Sequence, residues 1–219
     1  MTLDDIVYNF RVLAGDLVEP YLWDSTLVQS YAESAENEAC SRKALLTSES
    51  IDELCKISIV SGTSVYPKHT KVRQIFSAIL TQDDETIELH LTDPTELNYI
   101  SPGWRYTKGP PKYLIINDST VQMVPPPEKD GVLTLYVSHI PVTSIIDNAE
   151  PTIDEINHYP MIYYMLYLAY NKRDADTENP AKALEFESLF ASHFGPKQEL
   201  NTIKSIRQVR EANRTSGWI

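Results

Sequence analysis

Two short runs, Cys55-Lys-Ile-Ser-Ile59 and Ile87-Glu-Leu-His-Leu91, alternate apolar and polar residues. A period of two places one set of side chains on each face of a strand, whereas the segments before and after them carry a helical period. Between and beyond these runs, Val72, Ile75 and Ile79 follow the same near-alternation, and Gly, Pro, Asp and Asn punctuate it. The middle of the chain is therefore predicted to be a β region set into an otherwise helical protein.

The β region is expected to hold further strands at 112–116, 120–124 and 132–139. Residues 81–86 (Thr-Gln-Asp-Asp-Glu-Thr) should form a hairpin tip, and Asn117-Asp-Ser119 joins the next pair. Pro125, Pro126 and Pro127 donate no ladder hydrogen bonds, so the segment to Gly131 must be a loop. Asp93-Pro94 opens a short helical turn toward Tyr99.

Upstream, Thr2-Leu-Asp-Asp5 has the form of a capping box. Leu3, Ile6, Val7, Phe10, Leu13 and Ala14 then recur at helical spacing until Gly15. Asp24 is predicted to cap a second helix running to about Leu46, with Trp23 stapling onto Val28. Its narrow stripe is Leu27, Tyr31, Ala35, Ala39 and Leu46. Downstream, Pro160 precedes an apolar run from Met161 to Tyr170, read as a helix buried on most sides. Asn179-Pro180 caps another helix, whose face is Ala183, Leu184, Phe186, Leu189, Phe190 and Phe194, and Gly195-Pro196 stops it.

The expected class is thus α+β: a helical bundle of N- and C-terminal helices with an inserted antiparallel β domain and an extended or helical C-terminal tail. The boundaries read as 1–54, 55–145, 146–195 and 196–219.

Charge divides the chain unevenly. Residues 1–195 hold 14 basic and 29 acidic groups, but residues 196–219 hold five basic and two acidic. A tail of sign opposite to its body can be drawn to a surface that the body would repel. Ile203, Lys204, Ile206, Arg207, Arg210, Arg214 and Trp218 combine apolar anchors with arginines spaced by three and four, the chemistry of a protein interface. The tail lacks the basic density and interleaved aromatics of a nucleic-acid stripe.

Cys40 and Cys55 have neither metal nor disulfide-framework spacing and read as free thiols. No apolar run is long enough to span a membrane. Asp4 and Asp5 stand where a signal peptide would be basic, so a soluble chain that assembles or acts in cytoplasm is expected.

There is no phosphate-cradling glycine motif, HExxH, GxSxG or Cys/His cluster. His69, His90, His139, His158 and His193 are scattered and read as structural or surface groups, and Asp83 and Asp84 as a solvated tip. Asp174, Asp176, Glu178 and Glu185 fit positions 1, 3, 5 and 12 of a calcium loop. Asn179 replaces the glycine at position 6, Lys182 occupies position 9, and Pro180 should already open a helix. An acidic interhelical loop is the reading taken, with no metal, no cofactor and no enzymatic activity expected.

Several phrases occur in a suggestive order: Leu22-Trp-Asp24 leading into Ala35-Glu-Asn-Glu-Ala-Cys40, Val65-Tyr-Pro67, Pro102-Gly-Trp104, and Gly109-Pro-Pro-Lys-Tyr-Leu114. They continue with Val124-Pro-Pro-Pro127 before Gly131, His139-Ile-Pro141, Ala169-Tyr170, and Pro180-Ala-Lys-Ala183 to Phe194-Gly195. Their order and spacing over residues 20–196 resemble the head-to-tail adaptor (connector) proteins of tailed bacteriophages.

The resemblance implies a structural virion protein of the neck, twelve copies of which form a ring between the portal protein and a downstream tail or nozzle protein. DNA would pass through the channel as cargo, and no membrane is involved. The tail residues named above would dock on the portal. An acidic channel wall would repel phosphates and let the genome slide.

Two other readings stand beside it. One is a glycan-binding or hydrolytic β domain with Trp104, Tyr106 and Tyr113 as a platform near Asp93 or Glu96. The other is a DNA-binding regulator acting through the C-terminal helix.

Overall fold

The structure is a computed structural model that describes residues 1–83, 85–145, 149–173 and 176–197. The chain forms two compact units, one of residues 44–142, which holds the sheets, and the other of the segments on either side, which hold the four long helices.

The helical unit begins with α1 (Leu3–Ala14), and its cap is reciprocal. Thr2 Oγ1 accepts from the Asp5 amide at 3.3 Å, and Asp5 Oδ2 accepts from the Thr2 amide at 2.9 Å. Leu3, Ile6 and Phe10 bury one face, and Gly15, at φ 76°, closes the helix in the left-handed region. In α2 (Ser25–Arg42) the Asp24 carboxylate accepts from the Thr26 amide at 2.8 Å. Its buried stripe is Val28, Ala32, Ala35 and Ala39, with Leu27 and Tyr31 half-buried at its border.

Two further long helices complete the unit: α5 (His158–Asn171) and α6 (Pro180–Phe194), numbered past the two short ones described below. Helix α5 packs against α1, α2 and α6. None of its residues from Met161 to Tyr170 is exposed, as the apolar run requires. Asn179 caps α6 by accepting from the Lys182 amide at 3.1 Å. Ala183, Phe190 and Phe194 face inward, but Leu184 is exposed, because the expected apolar face is wider than the strip α5 can cover.

The second helix ends at Arg42 rather than at Leu46. Leu46 belongs to a strand, β1 (Leu46–Ser48), of the β unit. That unit continues through a single helical turn, α3 (Asp52–Cys55), into β2 (Lys56–Ile59), then β3 (Val65–Pro67), β4 (Val72–Gln82), β5 (Glu85–Glu88) and β6 (His90–Thr92). Helix α4 (Pro94–Ile100) and a 3-10 turn at Trp104–Tyr106 lead to β7 (Tyr113–Ile116), β8 (Thr120–Val124) and β9 (Gly131–His139).

One sheet is ordered β1-β9-β4-β5. Strand β2 also pairs with β9, toward the opposite end from β1, so α3 interrupts what would otherwise be one edge strand. Gly131 is fixed by close approach: a Cβ there would lie 2.5 Å from the Thr81 carbonyl oxygen.

The other sheet is ordered β3-β8-β7-β6. The expectation of an antiparallel domain needs correcting here, because β6 and β7 are parallel, with Leu91 opposite Leu114. A parallel neighbour needs a crossover, and α4 with the 3-10 turn supplies it. The segment from Pro125 up to Gly131 is a loop, as its prolines require, and it carries the chain from β8 in one sheet to β9 in the other.

Pleating explains how this sheet is buried. Leu114, Val121 and Met123 join Ile75, Ala78, Leu80, Leu133, Leu135 and Val137 in the main core. Ile115, next to Leu114 and so on the other face, joins Val124, Leu97 and Trp104 in a second, smaller core beneath α4.

Candidate functional site

All seven tail residues expected to dock, Ile203, Lys204, Ile206, Arg207, Arg210, Arg214 and Trp218, lie outside the described residues. Two surfaces stand on the described part of the chain, one that sequence reasoning did not single out and one that holds the expected aromatic platform.

The first is in the helical unit, where α1 meets the loop from Asp16 to Trp23. Arg11 and Asp16 form a buried ion pair with Nη1 and Oδ2 2.7 Å apart. Asp16 also accepts from the Leu22 amide at 2.8 Å. Arg11 Nη2 donates to the Trp23 carbonyl at 3.2 Å and to Ser25 Oγ at 3.0 Å. The guanidinium lies 3.7 Å from the centre of the Tyr21 ring, and Trp23 packs edge-on against Phe10 and Tyr170.

These contacts hold from inside a loop whose outside is largely apolar, with Glu19 as its exposed charge. Leu17, Val18 and Leu22 are exposed, Val18 to 80%, and continue an exposed strip of Tyr8, Val12 and Leu13 on α1. A soluble domain rarely fixes so much apolar surface in water unless something covers it. The signal available in the sequence was Arg11 standing on an apolar helix, with an acid just past the glycine that ends it.

The second surface is the cap formed by α4 and the 3-10 turn over the smaller core. Asp93 starts α4 by accepting from the Thr95 and Glu96 amides at 2.7 and 3.1 Å. Asn98 Oδ1 then accepts from Trp104 Nε1 at 3.1 Å and from Arg105 Nη1 at 3.2 Å, tying helix to turn. Arg105 lies over the Trp104 ring at 4.2 Å. Ser101, Trp104, Lys108, Lys112, Tyr113 and Pro125 line a small cleft of about 140 Å³ beside it.

This geometry splits the expected aromatic platform. Trp104 and Tyr113 share the cleft, but Trp104 is only 6% exposed, so its indole is a core group, and Tyr106 projects into solvent. The two carboxylates proposed beside it are already engaged. Asp93 is the helix cap, and Glu96 accepts from Thr92 Oγ1 at 2.5 Å.

The other chemistry-bearing residues have local partners. His158 Nε2 donates to the Ile153 carbonyl at 2.8 Å, and His193 Nε2 lies 3.2 Å from Asn157 Oδ1. Cys40 and Cys55 are buried, and Cys55 Sγ donates to the Ser48 carbonyl at 3.4 Å. Of the calcium-loop series, Asp174 lies outside the described residues and Glu185 lies within α6, which Pro180 opens. Among the described residues no group of three or more His, Cys, Asp or Glu could hold a metal ion, and no helix is long and apolar enough to cross a membrane.

Two carboxylates and an arginine set the electrostatics between α2 and its neighbours. Arg42 bonds Glu38 and Glu187, each at 2.8 Å, and lies over the Phe190 ring. Burial, with Glu38 nearby, pushes the Tyr164 hydroxyl up to about 12. Burial also raises Glu36 above its usual 4.5, although its carboxylate accepts from the Thr152 and Ile153 amides. These groups hold helix to helix and to the segment before α5.

A family model described as SU10 adaptor protein matches residues 1–216 of the chain. No curated protein matches it.

Proposed function

Because the chain belongs to the SU10 adaptor protein family, we propose that it is a structural component of the virion neck, a ring of twelve copies between the portal and the next tail or nozzle protein. The family supports the coarser statement, a structural bacteriophage adaptor. The ring, its place and the passage of the genome are this proposal. In it, the four long helices form a bundle that carries the β domain, and the acidic body lines a channel from which DNA is repelled.

The observation that carries an assembly role is the apolar strip of α1 and its loop, fixed outward by the buried Arg11–Asp16 pair. Its apolar side chains are suited to a protein neighbour in the virion. The basic tail is assigned to the portal, with Lys204, Arg207, Arg210 and Arg214 as charged contacts and Ile203, Ile206 and Trp218 as apolar anchors.

The test is capture by purified portal of the full chain and of a chain lacking residues 197–219. Both should give the same folded circular-dichroism spectrum, and only the full chain should sediment with the portal. Equal attachment by the truncated chain would refute the docking assignment.

A further inference from the structure

The cap over the smaller core has a surface unlike the rest of its unit. From Leu97 to Asn117 the chain has Arg105, Lys108 and Lys112 and no Asp or Glu, and all three bases are exposed. The same stretch holds the most exposed aromatics of the described chain, Tyr106 at 88% and Tyr99 at 82%, with Ile100 next to Tyr99. Tyr and Arg next to a small cleft is the composition of a protein-binding hot spot. Arg105 is also held before any partner arrives, by Asn98 and by the Trp104 ring, so less freedom is lost on binding.

The same unit carries the complementary surface elsewhere. Gln82 Nε2 donates to the Lys129 carbonyl at 2.5 Å, and Lys129 pairs with Asp83 at 2.7 Å, which joins the β4–β5 tip to the loop before β9. Asp83, Glu85, Glu128 and Asp130 are exposed on this joint tip against the single Lys129. The tip belongs to the β1-β9-β4-β5 sheet, whereas the cap covers the face of the other sheet that is turned away from the main core. Two unlike, oppositely charged surfaces on one chain are what a head-to-tail contact between identical copies requires. Such a contact also offsets the repulsion between copies that each carry a net charge of −12.

We propose that the basic aromatic cap of one copy, centred on Arg105, Tyr106 and Lys108, docks on the acidic tip of a second copy around Glu85 and Glu128. This rests on the ring reading above and assigns to that ring a contact between neighbouring β units. Tyr106 and Tyr99 supply the apolar area, and the three bases set register by facing the carboxylates.

The experiment places p-benzoylphenylalanine at position 106, mixes copies of natural and heavy-nitrogen isotope content, and illuminates them with and without purified portal. A mixed-isotope crosslink to a peptide containing residues 83–88 or 128–130 is expected. Arg105→Glu with Lys108→Glu should cut its yield at least about tenfold, as should Glu85→Lys with Glu128→Lys in separate copies. Mixing the two reversed variants should restore it, since opposite charges then meet at every contact.

A crosslink to the portal, or one confined to a single copy, overturns the self-contact. So does binding of an acidic polysaccharide with no crosslink between copies. If the chain attaches to portal but yields no mixed-isotope crosslink, the self-contact fails and the adaptor reading stands. If the crosslink forms while portal is never bound, the adaptor reading fails and the self-contact stands.

Discussion

The loop after α1 and the cap over the smaller core both present side chains outward, but they are held by different chemistry. The loop is locked by a charged pair deep in the helical unit, Arg11 with Asp16, whereas the cap is tied by one neutral amide, Asn98, at its border. A buried charge left alone is costly, so the loop can hardly take another shape. A neutral hydrogen bond contributes less, so the cap's anchor is the weaker of the two, although it still holds Arg105 in place. The outward faces follow the same division: the loop is apolar and needs shape, and the cap is basic and aromatic and can rely on charge.

That contrast is broken most readily at Asp16. Asp16→Ala strands the Arg11 guanidinium and releases the Leu22 amide, and should destabilise the protein by about 3–5 kcal/mol, read from urea unfolding. Asn98→Ala should cost about 1–3 kcal/mol, because it leaves a buried indole N–H without its acceptor. If Asn98→Ala proves as damaging as Asp16→Ala, the difference between the two anchors disappears.

Smaller still in stability, yet large in assembly, are the exposed side chains. Val18→Ser with Leu22→Ser should shift unfolding free energy by no more than about 0.5 kcal/mol per site and reduce incorporation into portal-bound complexes severalfold. Unchanged incorporation would mean that the apolar loop has no partner in the assembly.

The smallest effect expected is electrostatic. Glu36 has its folded pKa raised by burial, so the folded state binds the proton more tightly and the group's contribution to stability is lost as pH rises above about its usual 4.5. Glu36→Gln keeps an oxygen to accept from Thr152 and Ile153. It should stabilise slightly at pH 7, with the advantage vanishing in acid, when melting temperatures of both chains are compared across pH.

The elements easiest to read from sequence were those whose cause is local. Thr2 with Asp5, Asp24 and Asn179 announce their helices because each cap is satisfied within three residues. The long strand β9 shows its period because Leu133, Leu135 and Val137 are buried on one face, whereas in β4 two register shifts leave the buried Val72, Ile75 and Ala78 three apart and put the expected Ile79 outward. What sequence did not show depends on distant partners. Leu46–Ser48 is too short to have a period and becomes a strand only by pairing with residues 137–139. The parallel pairing of β6 with β7 likewise reflects where α4 carries the chain, which no pattern in His90–Thr92 reveals.

The outward face of the loop was hidden for a related reason, and that of the cap was legible only in part. Val18 looks like an ordinary core residue until the inner side of its segment is seen to be filled by Trp23, and the expected platform of Trp104, Tyr106 and Tyr113 is split because Trp104 turns inward and Tyr106 outward. Charge was the better guide: the absence of acids between Leu97 and Asn117 was visible from the outset, but its meaning required knowing that Arg105, Lys108 and Lys112 all face outward.

The mass of the complex formed when the full chain meets purified portal tests the adaptor account most directly. The account predicts one discrete species with about twelve copies of the chain per portal ring, absent when residues 197–219 are removed. Portal that remains at its own mass in the presence of excess folded chain would contradict it.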